Sequence, residues 1–167
     1  DCLICENKNE DASLFVHKLS GMYRYMLKNE IDTLIPLRDE LAFVGMYTDL
    51  LKVRFSCGFE VRTDVPEEFM SFQVVPCSIQ MLVENALKHN RVSPGNPLYI
   101  DMVAKDNRFI VTNTISPRMA SSEESTKVGL NYIRQQYIDL SGNDIEVIDD
   151  GKTYSVSLPL LPVQKTT

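Results

Sequence analysis

The sequence predicts an α+β fold: a two-layer α/β sandwich with one mostly antiparallel sheet and helices on one face, preceded by a helical hairpin. Three observations lead there. The hydrophobic period changes near residue 56, from a helical repeat to strand-like alternation. Beyond that point the elements follow the order β, α, β, β, loop, α, β, β. Two polar turns, Lys105-Asp106-Asn107-Arg108 and Asp149-Asp150-Gly151-Lys152, each sit between apolar runs and mark hairpins.

From Ala12 to Lys28, Phe15, Leu19, Met22 and Met26 recur at intervals of four and three, an amphipathic helix with a heptad-like seam. Asn29 to Thr33 is polar, and Pro36 suits the first turn of a second helix. That helix carries Leu37, Leu41, Val44 and Leu51 on one stripe to about Phe55. A short connection makes the pair an antiparallel hairpin whose exposed stripe calls for a second copy. After Gly58, Phe59, Val61, Thr63 and Val65 alternate with charged residues, a half-buried strand ended by Pro66. A helix starts near Pro76. Leu98 to Val103 and Phe109 to Val111 form the first hairpin, with a four-residue loop. Thr114 to Lys127 has no periodicity, and a loop of that length inside a compact domain points to function. Leu130, Ile133, Tyr137 and Leu140 define the last helix, closed by Gly142. Ile145 to Ile148 and Tyr154 to Leu158 make the second hairpin.

Composition narrows the function. Hydrophobic residues make up 44% of the 167 and charged residues 24%, ordinary for a chain with a real core. The net charge of −6 argues against nucleic acid as the main partner, since little here would displace phosphate counterions. No apolar run reaches the roughly 18 residues needed to span a bilayer, and no signal peptide is visible. Cys2 and Cys5 form a lone C-x-x-C; Cys57 and Cys77 lack a second ligand at zinc spacing, so reduced thiols are the reading.

The most informative stretch is Gln80 to Asn90, Gln-Met-Leu-Val-Glu-Asn-Ala-Leu-Lys-His-Asn. At 3.6 residues per turn it sets Ile79, Leu82, Val83 and Ala86 on one face and Asn85, Lys88 and His89 on another. An amide oxygen is a hard ligand that Mg²⁺ accepts, Lys88 is a point charge for phosphate, and His89 is a donor. Chemistry alone also allows a solvated polar face. The wording decides: Leu-Val-Glu-Asn-Ala-x-Lys-His closely resembles the asparagine box of sensor histidine kinases, specifically of the LytS-type family. Leu19-Ser20-x-x-Tyr23-Arg24-Tyr25, Leu37-x-x-Glu40-Leu41-x-Phe43-Val44-x-x-Tyr47 with Arg54-Phe55, Val75-Pro76, and Val128-Gly129-Leu130-x-x-Ile133 resemble further segments of that family in the same order. The resemblance runs over roughly residues 12 to 160.

The resemblance implies the ATP-binding fold shared by histidine kinases, gyrase-type topoisomerases and Hsp90 chaperones, with ATP and Mg²⁺ as cofactors. It implies Asn85 as the Mg²⁺ ligand, with Lys88 and His89 near the phosphates. Glu84, about 100° round the helix from Asn85, is the candidate base, or a Mg²⁺ partner through water. At the adenine end the family pattern is Asp-x-Gly-x-Gly; here Val111-Thr112-Asn113-Thr114-Ile115 puts Asn113 in place of the Asp and lacks both glycines. An Asn oxygen still accepts a hydrogen bond, without charge. The second glycine box is represented by Lys127-Val128-Gly129-Leu130, with Gly129 expected at a helix start where amide donors favour phosphate.

The family's phosphoacceptor histidine lies in an Asn-Pro-His-Phe-x-Phe-Asn box upstream of this region. His17, in Phe-Val-His-Lys-Leu-Ser, lacks that context, so no phosphoacceptor is expected in this chain. The expected organisation is a partial dimerisation and phosphotransfer region over 1–56, a catalytic domain over 57–162, and a tail over 163–167. The expected function is the ATP-binding part of a two-component sensor histidine kinase. It would pass the γ-phosphoryl to an upstream histidine for relay to a response regulator protein. The implied state is a homodimer through the N-terminal helices, on the cytoplasmic side of a parent anchored by segments absent here. One alternative is a degenerate, non-catalytic domain acting by dimerisation and docking. Another is an ATP-hydrolysing relative, which needs an acid four residues before the Asn, where this chain has Met81.

Overall fold

The computed structural model describes Ser20 and residues 34–55, 58–117 and 123–163. The expected helix over 12–28, its hairpin partnership, His17, Cys2, Cys5 and Cys57 lie outside the described residues. Among the described residues, seven strands and three α-helices follow one another: β1 Ile35–Pro36, α1 Leu37–Phe55, β2 Phe59–Asp64, β3 Gln73–Val74, α2 Ser78–His89, β4 Leu98–Lys105, β5 Arg108–Thr114, α3 Glu123–Ser141, β6 Glu146–Asp149 and β7 Thr153–Pro159. A short 3₁₀ turn, Glu67–Phe69, follows Pro66.

One five-stranded sheet runs in the order β2-β4-β5-β7-β6. Its pairs are antiparallel except β2 and β4, which run parallel and are joined by a crossover carrying α2. Alternation explains the sheet's two faces. Leu98, Ile100, Met102 and Ala104 on β4 are buried, as are Phe109 and Val111 on β5 and Val156 and Leu158 on β7. They face the helices, while the intervening residues are more open. This is the α+β sandwich expected.

A helix of 12 residues such as α2 is marginal by itself, so packing must hold it. Ile79, Leu82, Val83, Ala86 and Leu87 are buried from it, at about 1.5–3 kcal/mol for each large side chain. From α3, Ile133 and the fully buried Tyr137 join the same core. So do Leu37 and Val44 of α1. The part of residues 1–56 that is described therefore packs into the sandwich, although the sequence groups it with the N-terminal helical region. The tie is also one of backbone hydrogen bonding. Ile35 pairs with Val74 and Pro36 with Gln73, and the Leu37 amide donates to the Phe72 carbonyl at 2.7 Å, so α1 starts beside the approach to α2.

Two details differ from expectation. The first hairpin closes on two residues, not four: Lys105 pairs with Arg108, and Asp106 and Asn107 both take positive φ, 51° and 56°. That is the mirror-image turn whose twist suits a right-twisted ribbon, and Asp and Asn tolerate it better than most residues. The segment read as an unbroken loop to Lys127 is helical from Glu123. The end of that helix agrees with expectation: Gly142, at φ 68°, donates its amide to the Ile138 carbonyl at 2.8 Å.

Asn107→Gly should stabilise the protein by several tenths of a kcal/mol, and Asn107→Val should cost about 1–2 kcal/mol, because a β-branched side chain opposes positive φ. Urea unfolding of the three proteins measures both differences.

Candidate functional site

Between the C-terminal half of α2, the ends of β5 and β7 and the second turn of α3 lies a cavity of about 220 Å³. Leu82, Ala86, Val111, Leu130 and Val156 give it apolar walls. Asn85 and His89 face it from α2, one helical turn apart, and Asn113 faces it from the end of β5. Polar side chains around the edge of a largely apolar hollow of this size suit a flat, base-sized group. The volume falls below the roughly 300–1,000 Å³ of pockets that enclose a whole ligand, so anything longer must extend over the rim.

Four of the expected residues, Asn85, His89, Asn113 and Leu130, thus meet at one cavity. Asn113 is 7% exposed, and its Nδ2 donates to the Thr114 carbonyl at 2.8 Å. Its acceptor Oδ1 and the second Nδ2 hydrogen are what it can offer a ligand. Asn85 and His89 are half-buried, whereas Glu84 and Lys88 are exposed and do not line the cavity. The Glu84 carboxylate accepts from Gln80 Nε2 at 2.9 Å, one turn back along the helix surface. For Lys127 the helix is described but the side chain is not.

Gly129 is not at a helix start. Since α3 begins at Glu123, Gly129 lies in its second turn, where backbone amides belong to the helix's own ladder. Its nearest neighbour is the site itself: a Cβ there would stand 3.7 Å from Asn85 Nδ2 and from Met81 Cε, ordinary contact. The glycine therefore keeps open the space beside the Asn85 amide instead of donating from a helix end.

Spacing along the chain did not single out the residues that the sheet register brings in. Asn113 pairs with Tyr154, and Tyr154 with Asp149, so the three share one face across β5, β7 and β6. Tyr154 and Asp149 both line the cavity. Burial, then the Asp149 carboxylate, raises the Tyr154 hydroxyl above its usual range, with Arg134 pulling the other way. Asn90 is buried and shapes the mouth: Nδ2 donates to the Ala86 carbonyl at 2.9 Å and Oδ1 accepts from the Ser116 amide at 2.6 Å. The Arg91 amide donates to the Ser116 carbonyl at 2.7 Å beside it. The end of α2 is thereby stitched to the chain leaving β5. The only sequence signal for Asn90 was its place as the last polar residue of the asparagine-box string.

Comparison with known proteins agrees with this fold. A family model described as Histidine kinase matches residues 1–59. The sensor protein LytS of Enterococcus faecalis is 27% identical over 169 aligned positions, covering 87% of this chain. The LytS protein of Bacillus cereus is 36% identical over 86 residues, or 52% of this chain. Together these matches support a fragment similar to the LytS-type sensor histidine kinases. It spans 28% of the first of these relatives and 15% of the second. Sensor histidine kinase BtsS of Escherichia coli is 33% identical over 86 residues, 52% of this chain and 15% of its own. Among solved structures, the catalytic domain of histidine kinase ThkA superimposes with a TM-score of 0.55 at 18% identity, covering 80% of this chain and 98% of that one. The cytoplasmic segment of histidine kinase QseC gives 0.53 at 16% identity and 78% of each chain. At such identities the likeness is one of fold. Among the described residues no helix is long and apolar enough to cross a membrane.

Asn90→Ala should cost about 1–3 kcal/mol, because it strands the Ser116 amide that Oδ1 now satisfies. Thermal or urea unfolding measures the loss, and hydrogen exchange at the Ser116 amide should speed up with it.

Proposed function

We propose that the chain is the ATP-binding catalytic part of a two-component sensor histidine kinase, with part of its dimerisation helices. In the parent protein the γ-phosphoryl of ATP would pass to a histidine upstream of this chain, and from there to a response regulator. The observation that carries the reading is the meeting of Asn85, His89 and Asn113 at one cavity of this fold. The apolar walls fit the faces of a purine. Asn113 Oδ1 fits the exocyclic amino group of adenine, which guanine replaces with an acceptor.

The ribose and phosphates would then run over the rim along α2, past Asn85 toward Lys88 and the start of α3. Among the described residues no group of three or more His, Cys, Asp or Glu is placed to hold a metal. The Asn85 amide oxygen fits a Mg²⁺ that takes its remaining oxygens from phosphate and water. Bound there, Mg²⁺ would neutralise charge on the phosphate oxygens. What the chain itself supplies is position: the sheet sets Asn113, the helix sets Asn85 and His89, and the apolar walls exclude water from the base. Lys88 and Lys127 are the charges proposed for the phosphates, and the Gly129–Leu130 turn lies alongside. Glu84 stands on the solvent side of α2, so a base role for it would run through water.

In the same reading the N-terminal helices pair with a second copy, and the parent is membrane-anchored with this part facing the cytoplasm. A second reading, a non-catalytic domain that signals by dimerising and docking, draws on one observation. Among the described residues, neither Lys nor Arg lines the cavity.

Calorimetric titration with a non-hydrolysable ATP analogue, with and without Mg²⁺, separates the two, since only the kinase reading expects saturable, Mg²⁺-dependent binding. Asn85→Ala should abolish the Mg²⁺-dependent part while changing stability by no more than roughly 0.5 kcal/mol, as for a side chain outside the core. Equal affinity in mutant and parent would remove Asn85 from the site.

Asn113→Asp should tighten ATP binding and widen the preference for ATP over GTP, because a charged acceptor makes about twice as strong a hydrogen bond. Asn113→Leu should lose that preference, leaving a donor unpaired at about 1–3 kcal/mol. Competition titrations with GTP read both; an unchanged preference in the two variants would show that Asn113 does not read the base.

A further inference from the structure

The start of α2 is held by side chains that come from the helices on either side of it. The Glu40 carboxyl of α1 is wholly buried and accepts two backbone hydrogen bonds there, Oε2 from the Cys77 amide at 2.9 Å and Oε1 from the Ile79 amide at 3.1 Å. Cys77, at φ 60°, sits in the N-cap position and offers no side-chain cap of its own. From α3, the buried Tyr137 hydroxyl accepts from the Val75 amide at 3.4 Å and lies 3.5 Å from Ser78 Oγ, which donates to the Val75 carbonyl at 2.7 Å. A helix N-terminus presents unpaired donors and partial positive charge, and a buried carboxylate answers both.

The rest of α2's packing is of another kind. Leu82, Val83 and Ala86 meet the sheet through apolar contact, which is non-directional and tolerates small slides and rotations. The paired hydrogen bonds to Glu40 do not. Asn85 and His89 ride on the same rigid helix, one and a half to three turns beyond Ile79. The facing Asn113 is fixed separately by strand pairing. The gap between the two walls therefore depends on where α2 is set along and around its axis.

We propose that Glu40 is a positioning residue: its carboxylate, held by α1, sets α2 and with it the placement of Asn85 and His89 opposite Asn113. Since α1 lies within residues 1–59, Glu40 joins the segment matching the histidine kinase family to the wall of the candidate site. The link to nucleotide rests on the function proposed above; the positioning is testable without ligand.

The test compares the parent with Glu40→Gln, which keeps the shape but turns an amino group toward one of the two backbone donors. Phe109→Leu, a core change at the start of β5 and away from the cavity, is the control for lost stability. All are studied well below their melting temperatures. In ligand-free NMR spectra, Glu40→Gln should shift the Asn85 side-chain amide and His89 ring resonances, and Phe109→Leu should not. In titrations with the ATP analogue, Glu40→Gln should bind about tenfold more weakly, and Phe109→Leu like the parent. Parental Asn85 and His89 resonances in Glu40→Gln, or equal shifts in Phe109→Leu, would overturn the proposal. If the parent binds no analogue, the nucleotide reading fails and the resonances still decide the positioning. If Glu40→Gln does not fold, Glu40→Asp, which keeps the charge but withdraws it by one methylene, is judged by the same resonances.

Discussion

A helix that begins inside a protein must find partners for its first amides, and α2 finds them in a carboxylate 37 to 39 residues earlier in the chain. Much of the architecture follows from that requirement. A buried charge is tolerated only where hydrogen bonds and a favourable field replace water, so α1 must lie with Glu40 against the start of α2. The short β1–β3 ladder brings the two helix starts together, and Tyr137 closes the other side. Burial drives the Tyr137 hydroxyl well above its usual range, and burial with the nearby Glu40 charge pushes the Cys77 thiol up to about 11. Both groups stay neutral in a region that already holds one negative charge.

The cavity is built on a different principle. Its polar edge consists mainly of amides and a ring, groups that discriminate by direction of hydrogen bonding and cost less to desolvate than ions. Three of its polar atoms are committed elsewhere: Asn113 Nδ2 to the Thr114 carbonyl, and both ends of the Asn90 amide to the backbone around it. That commitment orients what remains. Lys88, the exposed cation proposed for phosphates, stands outside this hollow. In the proposed reading, base recognition and charge neutralisation would therefore fall to different elements.

The core and the asparagine-box helix were legible because they are written in local periods. Ile79, Leu82, Val83 and Ala86 are buried as a 3.6-residue repeat requires, and β4 alternates as a strand covered on one face should. Half of the site was legible for the same reason: Asn85 and His89 are helix neighbours, and the cavity lies on their side. Lys88, on the same polar arc, points away from it because the cavity meets only part of that arc. Gly129 was misplaced because helix starts leave a weak mark when the preceding segment has no apolar period, and α3 begins already at Glu123. Glu40 stood in view, a charge beside Leu37 and Leu41 on an apolar stripe, yet nothing near it in the chain named its partner.

By itself, then, the sequence determined the element types, the faces they bury and the resemblance to a family, since each is encoded within a few neighbouring residues or in motifs of fixed wording. Only the tertiary structure decided what stands opposite what. The cross-strand row of Asn113, Tyr154 and Asp149, the placing of Gly129 beside Asn85, and the grip of Glu40 on α2 all join residues far apart in sequence. Hydrogen bonds and cavity walls depend on distances in space, and those are set by the register of the sheet and the packing of helices upon it.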